Sequence, residues 1–144
     1  KNTCNLSCRM CHPNNSSKLL ENIKKSEYLY SLYNYFEPDK DLAIDDLSNI
    51  FSNTEQLTIT GGEPLIDKDC YDLIKLIRSQ SKKKLREISF STNMSKFNKD
   101  LLLELELLKK SGISIIFNVS IDGPKLIHEY IRVGSDLEKL IDLK

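Results

Sequence analysis

The chain has 144 residues, a length that suits one domain with a substantial hydrophobic core. Hydrophobic residues make up 40% of it and charged residues 29%, and 21 basic residues balance 21 acidic ones, so the overall charge favours neither a nucleic-acid surface nor a membrane surface. No apolar stretch approaches the roughly 20 residues that span a membrane, and the four cysteines, three of them clustered, fit metal ligation in a reducing cytoplasm better than a disulfide framework.

The first feature along the chain is a cysteine triplet. Cys4, Cys8 and Cys11 have the spacing C-x-x-x-C-x-x-C, which brings three thiols within reach of one inorganic centre without long-range folding. Three ligands leave one coordination position open, and an open position is typical of a reactive centre. Because thiolates suit zinc and iron–sulfur clusters alike, a structural zinc knot completed by His12 or His128 is an alternative.

Helices are predicted between the triplet and the first strand. Apolar residues recur at roughly helical intervals over 18–36, where Ser16 or Ser17 suits the N-cap and Pro38 stops the helix. A second helix is predicted over about 43–52, because acidic residues that suit a helix N-terminus lie at its start.

The next feature is a short apolar strand, predicted over 56–60, that runs into the sequence Gly-Gly-Glu-Pro. Adjacent glycines let the backbone approach a ligand closely, the glutamate supplies a carboxylate at the end of the strand, and the proline fixes the exit. These four residues are Gly61, Gly62, Glu63 and Pro64. Taken alone, the same four residues are also typical of an ordinary strand-to-helix turn.

The rest of the chain alternates helices and strands. Helices are predicted over 69–80 and 98–111, strands over 86–92 and 113–120, and further helices from about Lys125 and Asp136. The strand over 113–120 is nearly continuous in apolar residues, which predicts cover on both of its faces. This alternation predicts parallel β/α units, in which ligand-binding residues collect at the carboxyl ends of the strands.

Polar residues stand at two more of these strand ends. Thr92 and Asn93 follow one strand, and Ser120 opens the sequence Ser-Ile-Asp-Gly-Pro, which contains Asp122. Arg132 lies one predicted helix further along the chain, and its planar guanidinium suits a carboxylate partner. A surface ion pair of this arginine with a neighbouring acid, Glu129 or Asp136, is the alternative.

The three motifs together resemble the radical S-adenosylmethionine (radical SAM) enzymes, which pair C-x-x-x-C-x-x-C after a first strand with Gly-Gly-Glu-Pro after a second. The Ser-Ile-Asp-Gly-Pro sequence resembles the branch of that family with an extra carboxyl-terminal cluster domain of the SPASM or twitch type. The resemblance covers residues 1 to about 135 and implies an α/β fold, an open partial (β/α) barrel with parallel strands and flanking helices. It also implies that residues 1–144 are an incomplete core truncated at both ends, with most of the first strand upstream and later strands and any auxiliary-cluster domain downstream.

The same resemblance implies a function. Cys4, Cys8 and Cys11 would hold a [4Fe–4S] cluster whose fourth iron binds the amino and carboxylate groups of S-adenosylmethionine. Reductive cleavage would yield a 5′-deoxyadenosyl radical that abstracts hydrogen from a peptide or small molecule, with a flavodoxin or ferredoxin as electron donor. Two alternatives are a non-catalytic zinc or iron–sulfur module and an activating enzyme that places a glycyl radical on a partner protein.

The resemblance also implies which residues bind the cofactor. Met10 takes the position before the third cysteine, which is usually aromatic in the family and lies near the adenine. The main chain of Gly61, Gly62 and Glu63 is expected around the methionyl amino group, with the Glu63 carboxylate supporting its charge. Arg132 and Ser120 are expected at the methionyl carboxylate. The remaining members of the expected cofactor-binding set are Pro64, Thr92, Asn93 and Asp122.

Overall fold

The computed structural model describes residues 3–33, 53–80 and 84–142. Within these ranges three strands form one parallel sheet in the order β1-β2-β3. The strands are β1 (Gln56–Ile59), β2 (Glu87–Thr92) and β3 (Ser114–Val119). The helices, in chain order, are α1 (Ser17–Lys24), α2 (Glu27–Tyr33), α3 (Lys68–Ser79), α4 (Lys99–Lys110), α5 (Lys125–Ile131) and α6 (Leu137–Ile141). The fold is therefore an open α/β arrangement of parallel strands with flanking helices, as the alternating pattern predicts.

Helices α3 and α4 lie in the two crossovers and cover one face of the sheet. Their buried side chains and those of β2 form a single hydrophobic core, in which each fully buried Leu, Ile or Phe contributes about 1.5–3 kcal/mol. Phe90 of β2 stacks on Phe117 of β3 with ring centroids 5.6 Å apart. The core residues are Leu65, Cys70, Ile74, Ile77, Leu85, Ile88, Phe90, Leu101, Leu105, Leu108 and Ile113. This layer holds the carboxyl ends of the three strands side by side.

Two sequence predictions require correction. The single helix predicted over 18–36 is divided, because the Ser26 hydroxyl accepts the Leu29 N–H and starts a new helix at Glu27. The expectation that β3 is covered on both faces is wrong for the described residues, because Ile116 is 38% exposed on the face turned away from α3 and α4. Side chains alternate along a strand, so helices on one side of the sheet cover only half of them. The helix predicted over about 43–52 lies outside the described residues.

No helix of the described residues is long and apolar enough to cross a membrane.

Candidate functional site

A cavity of about 370 Å³ opens at the carboxyl ends of the three strands. Its volume falls within the range of roughly 300–1,000 Å³ that is usual for small-molecule sites. The residues that line it are Cys4, Cys8, Met10, Cys11, His12, Asn15, Thr60, Gly61, Gly62, Ser91, Thr92, Asn93, Ser120 and Arg132. The fold therefore brings the cysteine triplet together with residues from the ends of all three strands.

The cysteine loop is held on one side by two serines at the start of α1. The Ser16 hydroxyl donates to the backbone carbonyl of Leu6 at 2.6 Å and also caps the helix by accepting the Leu19 N–H. The Ser17 hydroxyl accepts the N–H of Cys4 at 3.1 Å and donates to its carbonyl at 3.0 Å. Leu6 is buried, so the loop has an apolar anchor between the first two cysteines. These contacts link the position of the loop directly to the position of α1.

On its other side the loop pairs with the segment that follows α5. The backbone N–H of Ser7 donates to the Val133 carbonyl at 3.0 Å, and the backbone N–H of Arg9 donates to the Ile131 carbonyl at 2.9 Å. The Arg9 guanidinium donates from Nε to the Tyr130 carbonyl at 2.9 Å, and its central carbon lies 4.3 Å from the centroid of the Tyr130 ring. Two backbone hydrogen bonds and a cation–π contact thus hold the loop against the end of α5.

The thiols of the triplet influence one another. Burial raises the pKa of Cys8 above its ordinary value, and negative charge on Cys4 and Cys11 raises it further. Burial likewise raises the pKa of Cys11, with Cys4 adding to the rise. The positive charge of Arg132 acts in the opposite direction on both groups. Deprotonation of this group of thiols therefore depends on a nearby positive charge, which a bound metal centre also provides.

The three thiols lie on the same cavity wall as His12. A zinc ion would need every sulfur ligand within about 2.3 Å, whereas in a four-iron cluster each thiolate binds a different iron atom. Thiolate ligands suit both kinds of centre, so metal analysis of the purified protein decides between them.

His128, one of the two possible fourth ligands of a zinc knot, does not line the cavity. Its side chain is fully buried, with Nε2 2.9 Å from the Ser135 hydroxyl and Nδ1 accepting the Asp122 N–H at 3.4 Å. His12 does line the cavity, and its Nδ1 accepts the N–H of Asn14 at 3.2 Å. The zinc knot that uses His128 is therefore wrong.

The Gly-Gly-Glu-Pro turn approaches the start of the cysteine loop through its backbone. A Cβ atom added at Gly62 would lie 2.2 Å from the Thr3 carbonyl oxygen, so the close approach requires glycine. The N–H of Glu63 donates to that same oxygen at 2.7 Å. Gly61 has a φ of +137°, a conformation that other residues rarely adopt. The turn therefore holds the residue just before Cys4 and exposes its own main chain to the cavity.

The Glu63 carboxylate points into the protein. Glu63 is 1% exposed. Its Oε1 accepts hydrogen bonds from the Thr92 hydroxyl at 2.5 Å and from the Leu65 N–H at 3.2 Å. Its Oε2 accepts a hydrogen bond from the Asn93 N–H at 2.7 Å. Burial raises its pKa, and these hydrogen bonds oppose the rise. Neither Glu63 nor Pro64 is among the lining residues, so the structure places the carboxylate one layer behind the cavity wall.

Asn93 connects the second strand to the cysteine loop. Its side-chain N–H group lies 3.9 Å from the Cys4 sulfur and 3.3 Å from the Asn5 side-chain oxygen. Its own oxygen accepts the Ser95 N–H at 2.9 Å and the Ser95 hydroxyl at 2.6 Å. Glu63, which accepts the Asn93 backbone N–H, therefore acts on the cavity wall through this residue and its neighbour in the chain.

Arg132 lies on the same cavity as the cysteines, at the C-cap of α5. It donates from Nε to Asp122 at 2.5 Å and from Nη2 to the other carboxylate oxygen at 3.3 Å. The alternative ion pairs are not formed, because Glu129 accepts the first N–H of α6 and Asp136 pairs with Lys139. The Arg132 side chain is 16% exposed. Because it lines the cavity, the N–H groups that Asp122 does not use lie at the cavity wall.

Three lining residues were not expected at the site from the sequence, namely Thr60, Ser91 and Asn15. Thr60 and Ser91 stand at or next to strand ends, so the alternation of side chains along β1 and β2 carries a usable signal for them. Asn15 belongs to the short turn after the cysteine loop and carries no comparable signal, and His12, in the same turn, was expected only as a zinc ligand. Of the residues expected to bind the cofactor, Met10 is 62% exposed at the edge of the cavity. Asp122 does not line the cavity and is linked to it only through Arg132.

The chain is similar to known proteins along almost its whole length. The family model for the Radical SAM superfamily matches residues 1–143. A protein of Methanocaldococcus jannaschii named "Probable GTP 3′,8-cyclase" is 30% identical over 98% of this chain and 41% of its own length. A Methanococcus vannielii protein of the same name is 34% identical over 95% of this chain and 39% of its own length. A GTP 3′,8-cyclase of Limosilactobacillus fermentum is 26% identical over 96% of this chain and 37% of its own length. The chain thus spans about two fifths of the length of these relatives. No solved structure matches it.

Proposed function

The chain belongs to the radical SAM superfamily, and we propose that its cavity holds a [4Fe–4S] cluster and S-adenosylmethionine as part of a radical SAM enzyme. Enzymes of the superfamily use these two cofactors. When bound, the reduced cluster supplies the electron that cleaves S-adenosylmethionine and produces a 5′-deoxyadenosyl radical, which abstracts hydrogen from a substrate. The observation that carries the proposal is that Cys4, Cys8, Cys11 and Arg132 share one cavity at the strand ends.

The cysteine loop suits a cluster with one open iron. Three thiolates are available, and the described part of the cavity wall offers no fourth cysteine, since Cys70 is buried in the core. The loop is fixed at Ser17 and at the backbone of Ile131, so the thiols need little reorganisation on binding. The open position is where a cofactor with an amino and a carboxylate group would bind.

The groups around the open position match those two ends of the cofactor. The Arg132 N–H groups not used by Asp122, together with the Ser120 hydroxyl, can neutralise and hydrogen-bond a carboxylate that would be costly to bury unpaired. The main chain of Gly61 and Gly62 supplies carbonyl oxygens for the amino group. Glu63 supports this wall from behind, as the acceptor for Thr92 and Asn93.

The wider assignments follow from the same proposal. Residues 1–144 act as an incomplete radical SAM core, the substrate is a peptide or small molecule, and a flavodoxin or ferredoxin in the cytoplasm delivers the electron. The relatives carry names that specify GTP, at 26–34% identity over about two fifths of their length. That similarity supports shared radical chemistry and leaves the substrate to be decided by the site itself.

The test of this proposal is iron content. Protein reconstituted without oxygen is expected to be brown and to bind about four irons per chain, and Cys8→Ala is expected to lose them. The matched control is Cys70→Ala, because Cys70 lies in the core away from the cavity and burial raises its pKa to about 12, which makes it a poor metal ligand. Protein that holds stoichiometric zinc and takes up no iron would contradict the proposal.

A further inference from the structure

Four residues at the two ends of α5 are joined in a closed circuit of hydrogen bonds. The Asp122 carboxylate accepts two hydrogen bonds from Arg132, and the Asp122 backbone N–H donates to Nδ1 of His128 at 3.4 Å. The other ring nitrogen of His128, Nε2, lies 2.9 Å from the Ser135 hydroxyl, and the Ser135 backbone N–H donates to the Arg132 carbonyl at 2.9 Å. We call this set the α5 circuit; it comprises Asp122, His128, Arg132 and Ser135.

His128 contacts both partners of the ion pair within the α5 circuit. Its ring accepts the Asp122 backbone N–H, and its own carbonyl accepts the Arg132 backbone N–H at 2.7 Å. The His128 side chain is fully buried, whereas Arg132 lines the cavity. The ring therefore lies behind the cavity wall, where the segment before α5 meets the segment after it.

The contacts of the His128 ring decide its tautomer. A backbone N–H can only donate, so Nδ1 presents its lone pair to Asp122. In a neutral imidazole the other nitrogen then carries the proton, so Nε2 donates to the Ser135 hydroxyl. The circuit thus uses two features of histidine at once, an acceptor at Nδ1 and a donor at Nε2.

The segment that the circuit holds also pairs with the cysteine loop. Ser7 and Arg9 of the loop donate their backbone N–H groups to the carbonyls of Val133 and Ile131, which are the chain neighbours of Arg132. The backbone of Arg132 is therefore held by the loop through its neighbours and by the circuit through its own N–H and carbonyl groups. These contacts relate the position of the guanidinium to the position of the thiols.

We propose that His128 is a positioning residue for the carboxylate end of S-adenosylmethionine. Nδ1 of His128 holds the Asp122 backbone, the Asp122 carboxylate orients the Arg132 guanidinium, and the unused Arg132 donors then face the cofactor. His128 acts only through these two residues. This role rests on the proposed radical SAM function, because the orientation of Arg132 serves a ligand only if the cavity binds a carboxylate.

Two substitutions separate the two ring nitrogens. His128→Asn keeps an acceptor near the place of Nδ1, whereas His128→Gln keeps a donor near the place of Nε2 and loses that acceptor. S-Adenosylmethionine affinity is measured by equilibrium dialysis on cluster-loaded protein. We expect His128→Asn to bind within about threefold of the wild type and His128→Gln to bind about tenfold or more weakly. Equal affinity in the two variants, or tighter binding by His128→Gln, would overturn the inference.

The folding stability of each variant is measured as well, because His128 is buried. Leu140→Val is the matched control, since it trims a buried side chain of α6 outside the α5 circuit. It should lower stability and leave the affinity unchanged; an affinity that falls with stability in this control would count against a specific role of His128.

Ser135 provides a second pair of variants, which decides the question if the His128 variants do not fold. Ser135→Ala removes the partner of Nε2 and should weaken S-adenosylmethionine binding by about threefold or more, whereas Ser135→Thr keeps a hydroxyl and should bind like the wild type. Equal affinity in these two variants would overturn the inference. Wild-type protein that takes up no iron or no S-adenosylmethionine counts against the proposed function. Equal affinities in the variants, with the wild type binding both, count against the role of His128 alone.

Discussion

Asp122 accepts two hydrogen bonds from Arg132, and this arginine lines the same cavity as the three clustered cysteines. Asp122 itself is tied to the protein through its backbone, whose N–H donates to the buried ring of His128. A two-point pair of this kind sets the plane of the guanidinium, so the direction of its unused donors is decided before any ligand binds.

This geometry predicts that Arg132→Lys will weaken S-adenosylmethionine binding by about tenfold, because lysine keeps the charge but loses the planar fork. Asp122→Asn should weaken binding in the same direction, since the guanidinium then loses an ionised partner. Iron content should stay at the wild-type level in both. Affinity is measured by equilibrium dialysis on reconstituted protein. The matched control is Arg78→Lys, which alters an ion pair with Glu104 between α3 and α4; unchanged affinity in Arg132→Lys would remove this residue from the cofactor site.

The close approach of Gly62 to Thr3 predicts a second result. Gly62→Ala forces a Cβ into the Thr3 carbonyl and should destabilise the fold by about 1–3 kcal/mol while moving the start of the cysteine loop. Gly112→Ala is the control, because Gly112 has a φ of +93° with open space around it and so adds strain of about 1–2 kcal/mol without a clash. Thermal melts should therefore show both variants destabilised, while iron analysis should show loss only in Gly62→Ala. Equal iron content in the two variants would contradict this role of the turn.

The buried carboxylate of Glu63 predicts a pH dependence. Burial raises its pKa in the folded protein, so the folded state binds the proton more readily than the unfolded state does. The stability associated with this group is therefore complete below its unfolded pKa and is lost as pH rises through its folded pKa. Glu63→Gln has no such titration, so the stability of the wild type relative to Glu63→Gln should increase as pH falls from 7 towards the ordinary range of glutamate, roughly 4.3.

The measurement for Glu63 is chemical denaturation of both proteins at a series of pH values. Comparing the two removes the titration of every other group that they share. A difference in stability that stays constant with pH would show that the Glu63 pKa is not raised. At neutral pH, Glu63→Gln should also weaken S-adenosylmethionine binding with iron intact, because an amide cannot accept from Thr92, Leu65 and Asn93 at once.

The contacts of Arg9 predict how firmly the cluster is held. Arg9→Ala removes the hydrogen bond to the Tyr130 carbonyl and the contact with the Tyr130 ring, a combined loss of about 1–2 kcal/mol. Iron release to a chelator should accelerate by about tenfold, since the loop opens more readily. Tyr130→Phe keeps both the carbonyl and an aromatic ring and should release iron at the wild-type rate. Wild-type release from Arg9→Ala would show that the backbone hydrogen bonds of the loop suffice.

Local chemistry alone determined several features of this protein. The N-caps at Ser16, Asp67, Asn98 and Asp136 each accept N–H groups two or three residues ahead in the structure. Polar side chains at these positions satisfy donors that a helix leaves unpaired, whatever the rest of the chain does. The spacing of the three cysteines and the alternation of strands and helices are likewise readable from the sequence, because they depend on neighbours within a few residues or on the period of apolar side chains.

Tertiary structure decided which partner each polar side chain takes. Arg132 had three acids within reach in the sequence and pairs with Asp122. The Glu63 carboxylate turned inward because Thr92 and Asn93, about 30 residues away, offer donors there, and Arg9 meets Tyr130 across 121 residues. Such contacts arise only when the parallel crossovers bring strand ends together. A buried carboxylate then faces the donors that offset its lost hydration, and sequence distance carries no information about which donors those are.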